Sequence, residues 1–532
     1  MTSSPTDATP DEPAWARHLP PGTDPASVDL LAEGSLPAAW ARRWAAAPDA
    51  DAIVTDTLDP DVTGTVTVTL RARDLDARTR MVAARFAAAG LCAGDRVLMS
   101  AGTSVELVVA HVAALRLGLV VVPVNGAYQE REVAHIARDS EPRAVVVDDA
   151  ARGQWVRAAT RADVVVTSPA IELPDGDPEA AVLDASTPGD LALLVYTSGT
   201  TGTPKGVMLT HGNVLASSEA VRIAWRWTAA DRLVLALPLF HVHGLGVGLH
   251  GALLCGGTAV LVPHFSPDAV LDAARAHGAT MFFGVPTMYA RLADSARVGE
   301  LAGLRLCVSG SAPLAPELHE RLTAASGVHV LERYGMTETV MNVSNPYDGE
   351  SRPGTVGFPL PGVEVRLAAD ENDDDAEDTD DTVSGEILLR GPNVFPGYWR
   401  RDDATRAAFD DNGWFHSGDV GAFDPDGYLR IVGRAKELII TGGYNVYPRE
   451  VEDVLLEHPA VAEVAVVGEP SAEWGETVVA VVVPADPAAG VDADDLLAFA
   501  AARLARFKCP RRVRTVDTLP RNALGKLLRH EL

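Results

Sequence analysis

Hydrophobic positions change rhythm along the chain. Between Leu36 and about Asp149, Ala-rich, Arg-studded stretches such as Leu75 to Ala89 read as helices. Leu119-Val-Val-Val-Pro123 and Ala144-Val-Val-Val147 are unbroken β-branched runs that read as buried strands. This alternation implies β-α units, and so a mostly parallel sheet with helices on both faces. The strand signature returns at Leu191 to Val195, at Val207 to His211, and from Leu233 up to His241 and His243. It returns again at Thr280 to Gly284, ahead of a helix starting at Pro286, and at Leu304 to Val308. From Ile439 the elements shorten: Ile439 to Tyr447, a helix from Pro448 to about Glu457, Val461 to Val467, Thr477 to Val483, and a helix capped by Asp492 running to Arg506. They predict a separate α+β unit. Met1 to Pro13 and Asp370 to Asp381 are polar and poor in apolar residues, and read as a disordered tail and a solvated acidic insert.

At 532 residues the chain exceeds what one core accommodates, so a large domain and a smaller one are expected. A formal net charge of −28 excludes a nucleic-acid partner or an anionic membrane surface, which need clustered Lys and Arg. No apolar run reaches the roughly 18 residues needed to span a bilayer, and the first residues form neither a signal peptide nor a presequence. The expectation is a soluble, cytoplasmic monomer or homodimer with small-molecule partners and no membrane insertion. Cys92, Cys255, Cys307 and Cys509 are far apart and show no metal or disulfide spacing.

The densest chemistry lies in Thr197-Ser-Gly-Thr-Thr-Gly-Thr-Pro-Lys-Gly206, between two strand signatures. Gly199, Gly202 and Gly206 let backbone N–H groups approach phosphate oxygens, Thr197, Ser198, Thr200 and Thr201 add hydroxyls, and Lys205 adds a cation. The spacing is not G-x-x-x-x-G-K-[ST], so this is a phosphate loop of another kind. A polar hairpin is the plain alternative. In Leu331-Glu-Arg-Tyr-Gly-Met-Thr-Glu-Thr339, Tyr334 can stack on a base, Gly335 permits close approach, Thr337 can bond a phosphate and Glu338 offers a hard oxygen to Mg²⁺. The small-residue loop Ser309-Gly310-Ser311-Ala312-Pro313 can admit a flat base. Asp419, in Gly413-Trp-Phe-His-Ser-Gly-Asp419, can accept hydrogen bonds from ribose hydroxyls. His241-Val-His243 lacks a third ligand at metal spacing. The C-terminal stretch from Arg503 to Arg529 is basic within an acidic protein, a field that attracts polyanions.

Together the phosphate loop and Tyr334-Gly-Met-Thr-Glu338 resemble the signatures of the adenylate-forming superfamily, which includes acyl- and aryl-CoA synthetases, adenylation domains and beetle luciferases. The likeness extends from about Leu36 to the end. It implies an α/β fold: a large N-terminal adenylate-forming domain at 36–432, made of parallel-sheet layers with a small barrel-like part, follows a tail at 1–35. A hinge at 433–437 then leads to a smaller mobile α+β C-terminal domain at 438–532. The resemblance further implies Arg434 at the nucleotide, Lys436 as the hinge residue, Gly442 and Gly443 along a pantetheine channel, His241 at the acyl pocket, and Lys526 of Pro520-Arg-Asn-Ala-Leu-Gly-Lys526 as the catalytic lysine. ATP, Mg²⁺ and coenzyme A are the implied cofactors and co-substrates, and a small carboxylic acid the partner. His243 is read as structural, and Gly397-Tyr398-Trp399 as serving the fold.

Arg333 bears on the acid. A buried arginine demands an anionic partner, either a neighbour such as Glu332 or a second carboxylate on the substrate. The run Leu331 to Gly362, with Leu237 to Leu245, resembles malonyl-CoA synthetases, which implies that Arg333, Ser311 and His241 hold a dicarboxylate, malonate or methylmalonate. Three alternatives remain: adenylation of another acyl or aryl acid with CoA, a carrier protein or another nucleophile as acceptor; a catalytically silent nucleotide-binding module; and a luciferase-like oxygenation.

Overall fold

The computed structural model describes residues 12–58, 65–160, 163–197, 204–369, 384–434, 437–441, 444–471, 474–504, 506–522 and 526–532. The acidic insert, Ser198, Gly199, Thr200, Thr201 and Gly202 of the phosphate loop, the hinge residue Lys436, and Gly442 and Gly443 lie outside the described residues.

The β-branched runs pair as parallel strands because side chains on both of their faces are apolar and buried. One seven-stranded sheet runs Gly397–Tyr398, Lys205–Thr210, Leu191–Thr197, Val120–Pro123, Arg96–Ser100, Ala144–Val147, Val165–Thr167. It is parallel from Leu191–Thr197 onward. The Leu191–Thr197/Lys205–Thr210 hairpin and the short strand beside it are antiparallel.

A nine-stranded sheet runs Phe358–Pro359, Val343–Ser344, Val330–Tyr334, Leu306–Ser309, Met281–Gly284, Arg232–Leu235, Thr258–Leu261, Asp51–Leu58, Thr65–Arg71. Its middle strands are parallel, so several loops leave from one edge. Helices join the two sheets. In Val105–Arg116, capped by Ser104, every residue except Glu106 is buried; a helix apolar all round belongs in a core. His211–Ala224 packs on the hairpin strands and on the π-helix His243–Leu249, which in turn packs on Arg232–Leu235.

Contacts divide the chain into two units. The first reaches Glu364 and takes in Arg390–Gly413; the second comprises Val365–Leu389 and Trp414–Leu532. The second holds nearly all of a four-stranded sheet ordered Glu364–Ala369, Ser384–Arg390, Phe415–Phe423, Leu429–Arg434, whose last three strands are antiparallel, and a further sheet ordered Tyr444–Val446, Ile439–Thr441, Gly475–Pro484, Val461–Ser471, with Arg512–Thr515 parallel to Gly475–Pro484. Helices Pro448–Leu456 and Ala493–Ala501 bury Val451, Leu455, Leu496 and Ala500 against it.

Two elements differ from the sequence reading. The strand from Leu233 ends at Leu235; Pro238 lies beyond it, and the chain turns through a His241 N–H to Pro238 C=O contact into the π-helix. The last helix ends at Ala501, where the Ala502 N–H turns back to the Ala498 and Ala500 carbonyls, rather than reaching Arg506.

Candidate active site

Loops leaving the carboxyl edge of a parallel sheet form the natural crevice of an α/β fold. In the first unit three such segments converge. Leu306–Ser309 delivers Gly310, Ser311 and Ala312; Val330–Tyr334 delivers Arg333 and Tyr334, then Gly335, Thr337 and Glu338; the segment after Arg232–Leu235 delivers His241 and His243. Ser311 and Ala312 are open to solvent, whereas Arg333, Tyr334, His243 and Glu338 are buried. Ser311 has a φ of 70°, a left-handed conformation that non-glycine residues adopt at a cost and that concentrates at functional sites.

Arg333 is the most unusual of these side chains. It is 6% exposed, its Nε and Nη2 have no hydrogen-bond partner, and its guanidinium fills the space a β-carbon on Gly310 would occupy. Burial alone pushes its pKa down to about 9, so it remains charged at neutral pH. Glu332, its neighbour on the strand, accepts instead from the backbone N–H of Leu314 (3.2 Å) and Gly354 (2.9 Å).

The His243 backbone N–H donates to His241 Nδ1 at 3.2 Å, so a neutral His241 carries its proton on Nε2. His243 Nδ1 lies 3.3 Å from Ser311 Oγ, and its buried Nε2 has no partner. Burial first, then the charges of Arg333 and His241, hold the His243 pKa well below the ordinary value, so its imidazole is neutral. These side chains present donors and no negative charge.

On the other sheet Thr197 and Lys205 face each other across the mouth of the hairpin. Lys205 Nζ lies 4.9 Å from the centre of the Tyr398 ring, and the Tyr398 hydroxyl donates to Glu338 Oε1 at 3.1 Å. The Lys205 ammonium and the Glu338 carboxylate are thereby joined through one tyrosine.

In the second unit Asp419 and Arg434 are register partners on adjacent strands, and Arg434 Nε lies 2.9 Å from Asp419 Oδ1. Lys526 faces Asn522: its N–H donates to Asn522 Oδ1 (2.9 Å) and its carbonyl accepts the Asn522 N–H (2.8 Å). Its side chain reaches solvent, yet crowding by surrounding protein lowers its pKa, with Arg434 adding to the effect and Asp419 and Glu437 opposing it.

The profile of the AMP-binding enzyme family matches residues 40–399, and that of the AMP-binding enzyme C-terminal domain matches 450–526. The chain belongs to this family. It is an AMP-forming acyl-CoA ligase. The ATP-bound structure of MatB from Rhodopseudomonas palustris is 40% identical with a TM-score of 0.84, covering 93% of the ligase and 98% of that chain. A malonyl-CoA ligase solved with methylmalonyl-CoA and AMP is 43% identical with a TM-score of 0.62, over 89% and 97%. The sulfoacetate–CoA ligase of Cupriavidus necator is 38% identical over 96% of the ligase and 98% of its own length. Other relatives are named for feruloyl, long-chain fatty acyl and oxalate substrates, so the family fixes ATP, a carboxylic acid and CoA as reactants but leaves the acid open. Among the described residues of the ligase, no helix is long and apolar enough to cross a membrane.

Sequence reading singled out Arg333, Ser311, His241, Lys205 and Glu338, and the first unit brings Arg333 beside Gly310 and ties Lys205 to Glu338. It read His243 as structural and Tyr398 as serving the fold, without the contact of His243 with Ser311, which arises from the π-helix turn, or those of Tyr398, which arise from a strand 60 residues beyond Glu338. Neither pairing leaves a local signal in the sequence.

Proposed function

We propose that the ligase converts a short dicarboxylate, malonate or methylmalonate, to its CoA thioester through an acyl adenylate. The observation that carries this reading is the unpartnered edge of Arg333. Nε–H and Nη2–H point the same way from a planar group and match the two oxygens of a carboxylate. An apolar or aryl acyl group would leave that charge buried and unpaired, which is costly. Ser311 and His241, with His243 beside them, add donors around the same carboxylate. The malonyl-CoA ligase relative supports the same class of acid.

ATP would lie with its base near Tyr334, Gly335, Gly310 and Ala312, its ribose at Asp419, with Arg434 at the nucleotide, and its phosphates at the Thr197–Lys205 loop and Thr337. Glu338 fits Mg²⁺ by donor chemistry: this ion takes one or two carboxylates and fills its other positions with water and phosphate oxygens. When bound, Mg²⁺ neutralises phosphate charge.

The reacting carboxylate and the α-phosphate are both anionic, so charge at phosphorus dominates the barrier. A Lys526 ammonium brought to the α-phosphate and the attacking oxygen would answer that charge. Removal of one such donor from a water-excluded site costs about 3–4 kcal/mol. Rotation at Lys436 would deliver and withdraw it, and Gly442 and Gly443 would line the path of the CoA thiol.

The test is CoA-dependent AMP release with malonate, methylmalonate, succinate, acetate, butyrate, benzoate and cinnamate. The expected result is the highest kcat/KM for malonate or methylmalonate. A monocarboxylate or aryl acid leading the series would sink the reading.

A further inference from the structure

Tyr398 lies on a two-residue strand whose placement is fixed on every side. Gly397 and Tyr398 pair antiparallel with Met208 and Val207, just after the phosphate loop. The Trp399 N–H donates to the Gly206 carbonyl at 2.8 Å, and the Trp399 indole N–H to the Asp139 carbonyl at 3.0 Å. A β-carbon on Gly206 would meet Leu194 Cδ1 at 2.9 Å and Trp399 Cβ at 3.2 Å, so the strand lies flush against the hairpin. The Tyr398 N–H is held by Thr405 Oγ1 at 2.9 Å, and its ring packs edge-on against Phe395 with centroids 4.9 Å apart. Phe395 in turn donates its N–H to the Glu338 carbonyl at 2.9 Å.

From this fixed position the side chain reaches both halves of the phosphate site. Its ring lies under the Lys205 ammonium, and its hydroxyl donates to the Glu338 carboxylate. Lys205 is exposed, and the aromatic face is the one cation–π platform that the described residues give it.

We propose that Tyr398 is a positioning residue that sets Lys205 and Glu338 as one unit, so that the phosphate cation and the carboxylate offered to the metal are oriented together. The proposal rests on the reading of Glu338 as the Mg²⁺ carboxylate and of Lys205 as a phosphate ligand. It makes two separable claims. The hydroxyl holds Glu338, a charge-assisted hydrogen bond whose loss is felt as about a 10-fold change. The ring holds Lys205, an exposed cation–π contact worth about 2–5-fold.

The experiment is equilibrium binding of ATP to the full-length protein by calorimetry, without metal and across a Mg²⁺ titration, for the parent, Tyr398→Phe, Tyr398→Leu and Glu338→Gln. Tyr398→Phe keeps the ring and is expected to raise the half-saturating Mg²⁺ about 10-fold while leaving metal-free ATP affinity at the parent value. Tyr398→Leu is expected to add a 2–5-fold loss of metal-free affinity. A loosened fold would instead weaken binding alike with and without metal in both variants, and that result overturns the proposal. So does a Tyr398→Phe protein whose Mg²⁺ half-point equals the parent's while that of Glu338→Gln moves. If the half-point of Glu338→Gln does not move, the metal reading fails and takes the hydroxyl claim with it. The Lys205 claim is then decided by metal-free binding of Tyr398→Leu alone.

Discussion

The Arg333 guanidinium occupies the space that a β-carbon on Gly310 would fill. The absence of a side chain at Gly310 therefore lets an arginine lie flat on the backbone at the strand edge, with Nε and Nη2 unpartnered. Its φ is not positive, so alanine suits the backbone there. Gly310→Ala is expected to fold but to push the guanidinium aside. Malonate kcat/KM should fall about 10–100-fold, in line with the loss of a hydrogen bond to a charged group, while the retained Tm reports an intact fold. A Gly310→Ala enzyme with parental malonate kinetics would show that the position of Arg333 is immaterial.

A buried charge without a partner weakens the fold that holds it. Replacing Arg333 by a volume-matched apolar residue removes that penalty; even buried ion pairs, when replaced by apolar residues, can give a gain of about 1–4 kcal/mol. Arg333→Met is therefore expected to raise the apo Tm by a few degrees and to abolish the further rise that malonate gives the parent through linkage. Thermal scans with and without malonate read both effects. A lower apo Tm for Arg333→Met would mean that Arg333 already has a compensating partner.

Acid should destabilise the first unit before carboxylates protonate. Burial lowers the pKa of His18 and His211 to about 4 and of His111 to about 3, and holds His243 and His250 well below 6.5. His111 and His250 place their Nε2 atoms 2.7 Å apart, so both cannot be protonated. In each case the unfolded chain binds a proton that the folded chain refuses. Stability is therefore full above about pH 6.5 and falls as pH drops toward 4, by about 1 kcal/mol per imidazole at pH 5.5. Denaturant midpoints at pH 7.5 and 5.5 test this, and His111→Asn should flatten the slope. Equal midpoints at the two pH values would contradict it.

Lys526→Ala is expected to separate the half-reactions. Adenylation, read by ATP–pyrophosphate exchange, should fall about 10²–10³-fold, whereas thioester formation from a supplied acyl adenylate should stay near the parent rate. Equal losses in both steps would place Lys526 in a structural role.

The legibility of this chain follows the range of the interactions involved. Val120–Pro123 and Ala144–Val147 were readable as parallel strands because burial on both faces is written into every position. Arg333 was readable as a candidate substrate ligand because a buried cation must be answered; the fold buries it, and Glu332 beside it is engaged by the Leu314 and Gly354 N–H groups. Tyr398 was not, since its value comes from a strand added to the Lys205 hairpin from almost 200 residues away. The end of the last helix at Ala501 was also hidden, because nothing in the composition of 501–506 opposes a helix.

The most direct test of the central claim compares kcat/KM for malonate and for butyrate in the parent and in Arg333→Met. The account predicts a parent that strongly prefers malonate and a variant in which malonate falls about 10²–10³-fold, the loss of two charge-assisted hydrogen bonds, while butyrate is unchanged or improved. Equal losses for both acids, or a parent that prefers butyrate, would contradict it.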